Sequence, residues 1–225
     1  MGGGVHCARY LAAGLAGLLA SAGAPLHAQL ADLSGSRPAQ QHPEAGAAVD
    51  EQGLPSVTRS VLNYAVPAIT LVRDDGTSVA LTDELNDGRP VVLNFIYTSC
   101  PGICPLASQV FSQLQGQLGA ERDRVHLVSI SVDPEEDTPA RLRAYARKFH
   151  AGPSWQHYTG TAAASLAVQR AFDAYKGDKM GHTPLTLLRT APGAAWVRFD
   201  GFATPDMLIK ELRPGQATAR VASGR

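Results

Sequence analysis

The feature that most restricts the fold is Val91-Val-Leu-Asn-Phe-Ile-Tyr97, a run that is apolar at every position except Asn94. A strand with one wet face alternates polar and apolar residues, whereas a run apolar in both parities suits a central strand covered by helices on each side. The run opens directly into Thr98-Ser-Cys-Pro-Gly-Ile-Cys-Pro105, so a turn carrying Cys100 and Cys104 sits at the end of that strand. Beyond it, Leu106, Val110, Phe111 and Leu114 recur at three- and four-residue spacing, which predicts an amphipathic helix to about Leu118.

The rest of the chain repeats this alternation. Ile69 to Val72 and Ser78 to Leu81 flank an Asp-Gly turn and predict a β-hairpin near the start of the ordered region. Val125 to Val132 predicts a second buried strand, ended by Asp133-Pro134; Asp137-Thr138-Pro139 then starts a helix through Phe149, with Asp137 expected to help cap it, the alternative for Asp133 and Asp137 being to orient the cysteine site or a partner. A short strand from Trp155 to Tyr158, a helix from Thr161 to Tyr175, two strands around Ala191-Pro192-Gly193 and a last helix opened by Thr204-Pro205 complete the pattern. The expected architecture is α/β, a mixed central sheet flanked by helices with an N-terminal β-hairpin addition. In this thioredoxin-like arrangement the first cysteine follows a central strand and the second enters a helix.

Composition matters here for compartment and partners. Arg9 precedes the apolar run Leu11 to Leu19, and small residues follow, which reads as a secretory signal peptide over residues 1–28 or, if uncleaved, an N-terminal anchor. Residues 29–60 are rich in Ala, Gly, Pro, Ser and Gln and read as a disordered linker; 61–213 form the domain, and 214–225 read as a disordered tail. Export implies an oxidising compartment, the periplasm, with the protein either soluble or tethered to the inner membrane by its N-terminus. Cleavage removes Cys7 and leaves Cys100 and Cys104 as the two remaining cysteines. Twenty basic against 20 acidic residues gives no reason to expect a nucleic-acid partner.

Residues four apart lie on one face of a helix, so Cys100 and Cys104 converge if the turn is even partly helical. A helix N-terminus favours the thiolate, which serves both disulfide chemistry and soft-metal binding. The spacing leaves these alternatives open, since dedicated dithiol exchangers typically carry Cys-x-x-Cys and this chain has one residue more. A third ligand would tip the balance.

Taken together, Cys100-Pro-Gly-Ile-Cys104-Pro105 after Val-Leu-Asn-Phe-Ile-Tyr-Thr, then Ser129-Ile-Ser-Val-Asp133-Pro-Glu-Glu-Asp137-Thr-Pro139, then a late isolated histidine, resemble the SCO/SenC family of copper-binding cytochrome c oxidase assembly proteins. The resemblance covers about Val61 to Arg213. It implies a thioredoxin fold in which Cys100, Cys104 and His182 bind one copper ion, as Cu(I) or Cu(II). The implied partner is the oxidase subunit carrying the binuclear copper site, or another copper-receiving or thiol partner. Two thiolates and an imidazole suit copper, whereas a closed zinc site usually has a fourth protein ligand. This chain departs from the family pattern before His182: the loop is short, and Gly181 stands where an aspartate is expected.

The resemblance thus implies an exported copper metallochaperone for assembly of the cytochrome c oxidase copper site, and three other readings accompany it. Cys100 and Cys104 are the catalytic pair if the protein is a thiol–disulfide oxidoreductase that reduces the cysteines of a copper-receiving partner. A peroxidase lacks an evident activating set around a lone cysteine, and a purely structural disulfide gains little from so short a loop. Met180 is a weak thioether candidate. His126, His150 and His157 read as surface or satisfied residues, and Trp155 and Trp196 as core aromatics.

Overall fold

The computed structural model describes residues 56–213. The expected signal peptide, the linker up to residue 55 and the tail from 214 lie outside the described residues. Along the described chain run β1 (Thr58–Leu62), β2 (Thr70–Arg73), β3 (Ser78–Ala80), α1 (Leu81–Leu85), β4 (Val91–Ile96), α2 (Ile103–Leu118) and β5 (His126–Ser131). There follow α3 (Pro139–Lys148), β6 (Trp155–Thr159), α4 (Ala162–Ala171), β7 (Leu185–Arg189), β8 (Trp196–Asp200) and α5 (Pro205–Leu212).

The strands form a mixed sheet in the order β1-β8-β7-β4-β5-β6-β2-β3. All six residues of β4 are buried, as its sequence predicts, and the strand pairs parallel with β5 and antiparallel with β7. The β4–α2–β5 and β5–α3–β6 crossovers place a helix over the sheet, as parallel neighbours require. The predicted hairpin forms as β2–β3 and extends the sheet through an antiparallel pairing of β2 with β6. Its turn needs Gly76, whose φ of 91° lies where a side chain would be strained.

Side-chain alternation along β4 divides the interior into two cores. Val92 and Ile96 face Phe111, Leu114, Leu142 and Leu208 on the side of α2, α3 and α5. Val91, Leu93 and Phe95 face Leu81, Leu85, Val168 and Phe172 on the side of α1 and α4. A fully buried side chain of this kind contributes about 1.5–3 kcal/mol relative to exposure, so the strand that carries the cysteine turn is fixed from both faces. Trp155 and Trp196 are buried as expected.

Four expectations are corrected. Strand β1 begins at Thr58, inside the stretch read as linker; it is an edge strand with mostly exposed side chains, so it lacks the apolar alternation by which strands are recognised. Leu81 to Leu85 form a short helix directly after the hairpin. The cap of α3 is Thr138, whose side chain accepts from the Arg141 N–H, while Asp137 is turned inward.

His157 is neither on the surface nor satisfied. It is fully buried, stacked 5.2 Å from Trp155 and edge-on to Tyr145, and neither ring nitrogen has a hydrogen-bond partner. Burial pushes its pKa down to about 3, so the ring is neutral at physiological pH. His126 is buried but satisfied by the Glu84 carbonyl at 3.1 Å and the Gln156 side chain at 3.0 Å, and His150 is exposed.

Candidate metal centre

The cysteine turn is a direct continuation of β4. Tyr97 is the last buried residue of the run, and its carbonyl accepts from the Cys100 N–H at 3.2 Å, which closes the chain into a tight turn. Gly102 is the N-cap of α2, so Cys104 is the second residue of the helix, and its N–H points at the Cys100 sulfur, 3.4 Å away. Pro105 falls in the first turn, where a missing N–H leaves no hydrogen bond unmade. Leu106 follows the pair and is more than half exposed, lying off the buried stripe of Cys104, Ser108, Phe111 and Leu114.

The two thiols are free, and their environments differ. Cys100 reaches solvent at 8% exposure and Cys104 at 1%. Burial alone would push Cys100 up, but the N–H groups of Cys104 and Gly102, the Cys104 thiol and the Tyr97 hydroxyl together pull its pKa below that of an ordinary thiol. Burial, followed by the neighbouring Cys100 sulfur, pushes Cys104 up. Burial and the same sulfur push the Tyr97 phenol up to about 12, so it remains a hydrogen-bond donor.

His182 lies just past a 3-10 turn at Lys179–Gly181, whose start is capped by the Asp178 side chain accepting from the Met180 N–H at 2.8 Å. One ring nitrogen, Nε2, is 3.0 Å from the Phe95 carbonyl. Burial lowers the pKa of His182 against the opposing pull of that carbonyl, so the imidazole is neutral at physiological pH, the form a metal requires. The fold therefore brings Cys100 and Cys104 together and leaves His182 tied to the backbone of β4. Among the described residues no group of three His, Cys, Asp or Glu side chains is assembled for a metal. By donor chemistry the set fits a soft ion: two sulfurs face one another, and a neutral imidazole is carried on the adjoining loop.

Two carboxylates complete the site. Asp137, read from sequence chiefly as a helix cap, is fully buried. It accepts from the Thr98 N–H at 3.1 Å, the Thr98 hydroxyl at 2.5 Å and the Ser131 hydroxyl at 2.6 Å. It thus fastens the start of the cysteine turn to the end of β5. Asp133 ends β5 as expected, and it also holds the Lys179 ammonium at 2.6 Å, fastening the histidine loop. Neither pairing is legible from local sequence, because Thr98 and Asp137 are 39 positions apart and Asp133 and Lys179 are 46 apart.

Comparison with known proteins bears on the whole domain. The family model described as SCO1/SenC matches residues 63–214. The SCO1 protein homolog of Bacillus subtilis is 37% identical over 100 residues, covering 44% of this chain and 51% of that protein. This chain thus spans about half the length or less of the curated relatives it matches first. The structure of Bradyrhizobium japonicum ScoI with copper bound superposes with a TM-score of 0.57 at 29% identity, covering 67% of this chain and 99% of that one. BsSco, described as a member of the Sco family of cytochrome c oxidase assembly proteins with a disulfide switch, gives a TM-score of 0.58 at 26% identity over 70% of this chain and 96% of its own. These similarities agree with the thioredoxin-like α/β fold expected from the sequence.

Proposed function

The chain belongs to the SCO1/SenC family, and from that premise we propose that it is a copper metallochaperone whose Cys100, Cys104 and His182 hold one copper ion for assembly of the cytochrome c oxidase copper site. The observation that carries this reading is the convergence of two unlike thiols at the N-terminus of α2, in a family that includes a ScoI solved with copper bound. Copper is the cargo, and the chain's residues prepare for it. The Cys104 N–H and the Tyr97 hydroxyl stabilise negative charge on the Cys100 sulfur, Asp137 fixes the turn, and His182 waits in its neutral form one loop away. Coordination by His182 requires either Nδ1 or the release of Nε2 from the Phe95 carbonyl.

The proposed setting is the periplasm, with the segment before the domain serving as export signal or tether. Among the described residues no helix is long and apolar enough to cross a membrane. The proposed recipient is the oxidase subunit that carries the binuclear copper site.

The test is a Cu(I) titration of the reduced protein against a competing chelator, followed by Cu(II) addition with observation of thiolate-to-copper charge transfer. One tightly bound copper per chain is expected, with binding lost in Cys100→Ser and Cys104→Ser and the Cu(II) band lost in His182→Ala. Absence of one-to-one binding by the wild-type chain would overturn the reading.

A second reading draws on the asymmetry of the thiols. A solvent-touching cysteine with a lowered pKa beside a buried one with a raised pKa is the division of labour of an attacking and a resolving thiol. On this reading the protein reduces the disulfide of a copper-receiving partner. Reduction of such a disulfide no faster than by free dithiol would remove it.

A further inference from the structure

In a chain that is 18% charged, no charged residue stands between Arg89 and Glu121, so all 16 residues of α2 are neutral. Helix α3 shows the contrast, with Arg141, Arg143, Arg147 and Lys148 exposed along its 10 residues. On α2 the exposed stripe is Leu106, Gln109, Gln113 and Gln117, three or four residues apart and therefore on one face. The core of a protein–protein interface is depleted of Lys, Glu and Asp, because burying such a group costs free energy unless it is paired. Beside the stripe runs a shallow groove lined by Ala107, Val110, Pro184 and Phe202, and every residue that lines it is uncharged. Leu106 lies one helical turn before Val110 and borders the groove. Pro184 follows closely on His182, as Leu106 does on Cys104, so the groove is walled by the two segments that carry the ligands. Those segments also bear exposed apolar side chains, Leu106 at 57% and Met180 at 68%.

Resting on the reading of the protein as a copper chaperone, we propose that this groove and the neutral face of α2 are where the copper-receiving protein docks, through a contact surface that is itself apolar and uncharged. Position and charge together name that occupant. Cys100 is the thiol of the pair that reaches solvent, so a protein that takes copper from it meets the start of α2, where the groove begins. The face offers no ion pairs, so a recipient with a charged contact surface would dehydrate its charges without compensation, whereas an uncharged one loses nothing. The recipient contributes an apolar side chain seated between Val110 and Phe202, since a few buried anchors carry most of the binding energy of an interface. Docking sets up an exchange that balances without electron transfer. Each Cu–S bond broken at Cys100 and Cys104 is replaced by one to a recipient thiol, whose proton passes to the thiolate left behind.

The experiment mixes the full chain, reduced and loaded with Cu(I), with the reduced, copper-free soluble domain of the oxidase subunit that carries the binuclear site, and measures copper in each protein after rapid separation. The second-order transfer rate is expected to fall about tenfold in Leu106→Glu and in Gln113→Lys, with one-to-one copper binding and the thermal midpoint unchanged. The two substitutions add opposite charges, so a field acting on the thiols cannot slow both. Val61→Glu, which removes an exposed apolar side chain from strand β1, is expected to transfer at the wild-type rate. The wild-type rate is expected to change less than about twofold between roughly 0.05 and 0.5 M salt, because no charge pairs are there to be screened. Wild-type rates in both helix variants, or a steep fall with salt, overturn the proposal and leave the copper site standing. A wild-type dimer in sedimentation that Leu106→Glu dissolves would give the groove to a second copy. Exchange protection of residues 45–55 that Leu106→Glu abolishes would give it to the chain's own upstream segment, and either result overturns the proposal. A wild-type chain that binds copper and passes none on overturns the chaperone reading and the proposal with it.

Discussion

The cysteine turn and the histidine loop lie side by side and are built on opposite principles. The turn grows out of a strand buried on both faces and runs into a sixteen-residue helix, and a buried carboxylate with three hydrogen bonds clamps its first residue. The loop has no buried side chain between Tyr175 and His182 and is held at its surface by an ion pair, a weak hydroxyl–thioether contact and one imidazole–carbonyl contact. Local stability follows burial and contact density. The thiols are therefore the fixed half of the site, and the third donor is the adjustable half.

Disturbing the fixed half should have the largest effect. Asp137→Ala strands the Thr98 N–H and the Ser131 hydroxyl in the interior, and urea denaturation is expected to show a loss of about 3 kcal/mol, given that a hydrogen bond to a charged group is worth roughly 1.5–3 kcal/mol net. Unchanged stability would mean that the turn is held by the strand and helix alone. Next comes the contrast between the thiols themselves. Because the Cys100 pKa is lowered, its thiolate is present at pH values below the ordinary thiol pKa, whereas the raised pKa of Cys104 keeps it protonated there. Alkylation with iodoacetamide across pH 6 to 9, read residue by residue by mass spectrometry, should label Cys100 at least about tenfold faster throughout. Equal labelling would erase the proposed division of roles.

In the adjustable half the expected changes are local. Lys179→Met removes the anchor to Asp133, and hydrogen exchange should speed up in residues 176–182 while the global unfolding midpoint stays where it is. A global loss instead would show that the loop is part of the cooperative core. The smallest effect is expected at Gly181. A Cβ placed there meets the Lys176 carbonyl at 3.5 Å and the Lys176 Cβ at 3.6 Å, both ordinary contacts, and the backbone is not in the left-handed region. Gly181→Asp, which restores the aspartate expected from the family pattern, should fold with an unchanged thermal midpoint; a clear drop would mean that the short loop has no room for it.

The same division explains what the sequence discloses. Strand β4, helix α2 and the cysteine pair are readable because burial on both faces, helical periodicity and cysteine spacing are all local signals. His182 stands out only through the family resemblance. Asp137 and Asp133 are misread or half-read because their partners come from other elements, and a carboxylate beside Thr-Pro looks like a cap until Thr138 is seen to do that work. Strand β1 and buried His157 fail for related reasons. An exposed edge strand carries no apolar pattern, and nothing in Trp155-Gln-His157 announces which face of the sheet the ring will occupy.

One five-residue stretch, Asp133 to Asp137, reaches both halves, with its first side chain on the histidine loop and its last on the cysteine turn. The site is thus not portable as a Cys-x-x-x-Cys cassette. Grafting it onto another thioredoxin-like scaffold would require three separate segments transplanted in register, and a one-residue insertion between Asp133 and Asp137 should disable the graft even with every ligand in place.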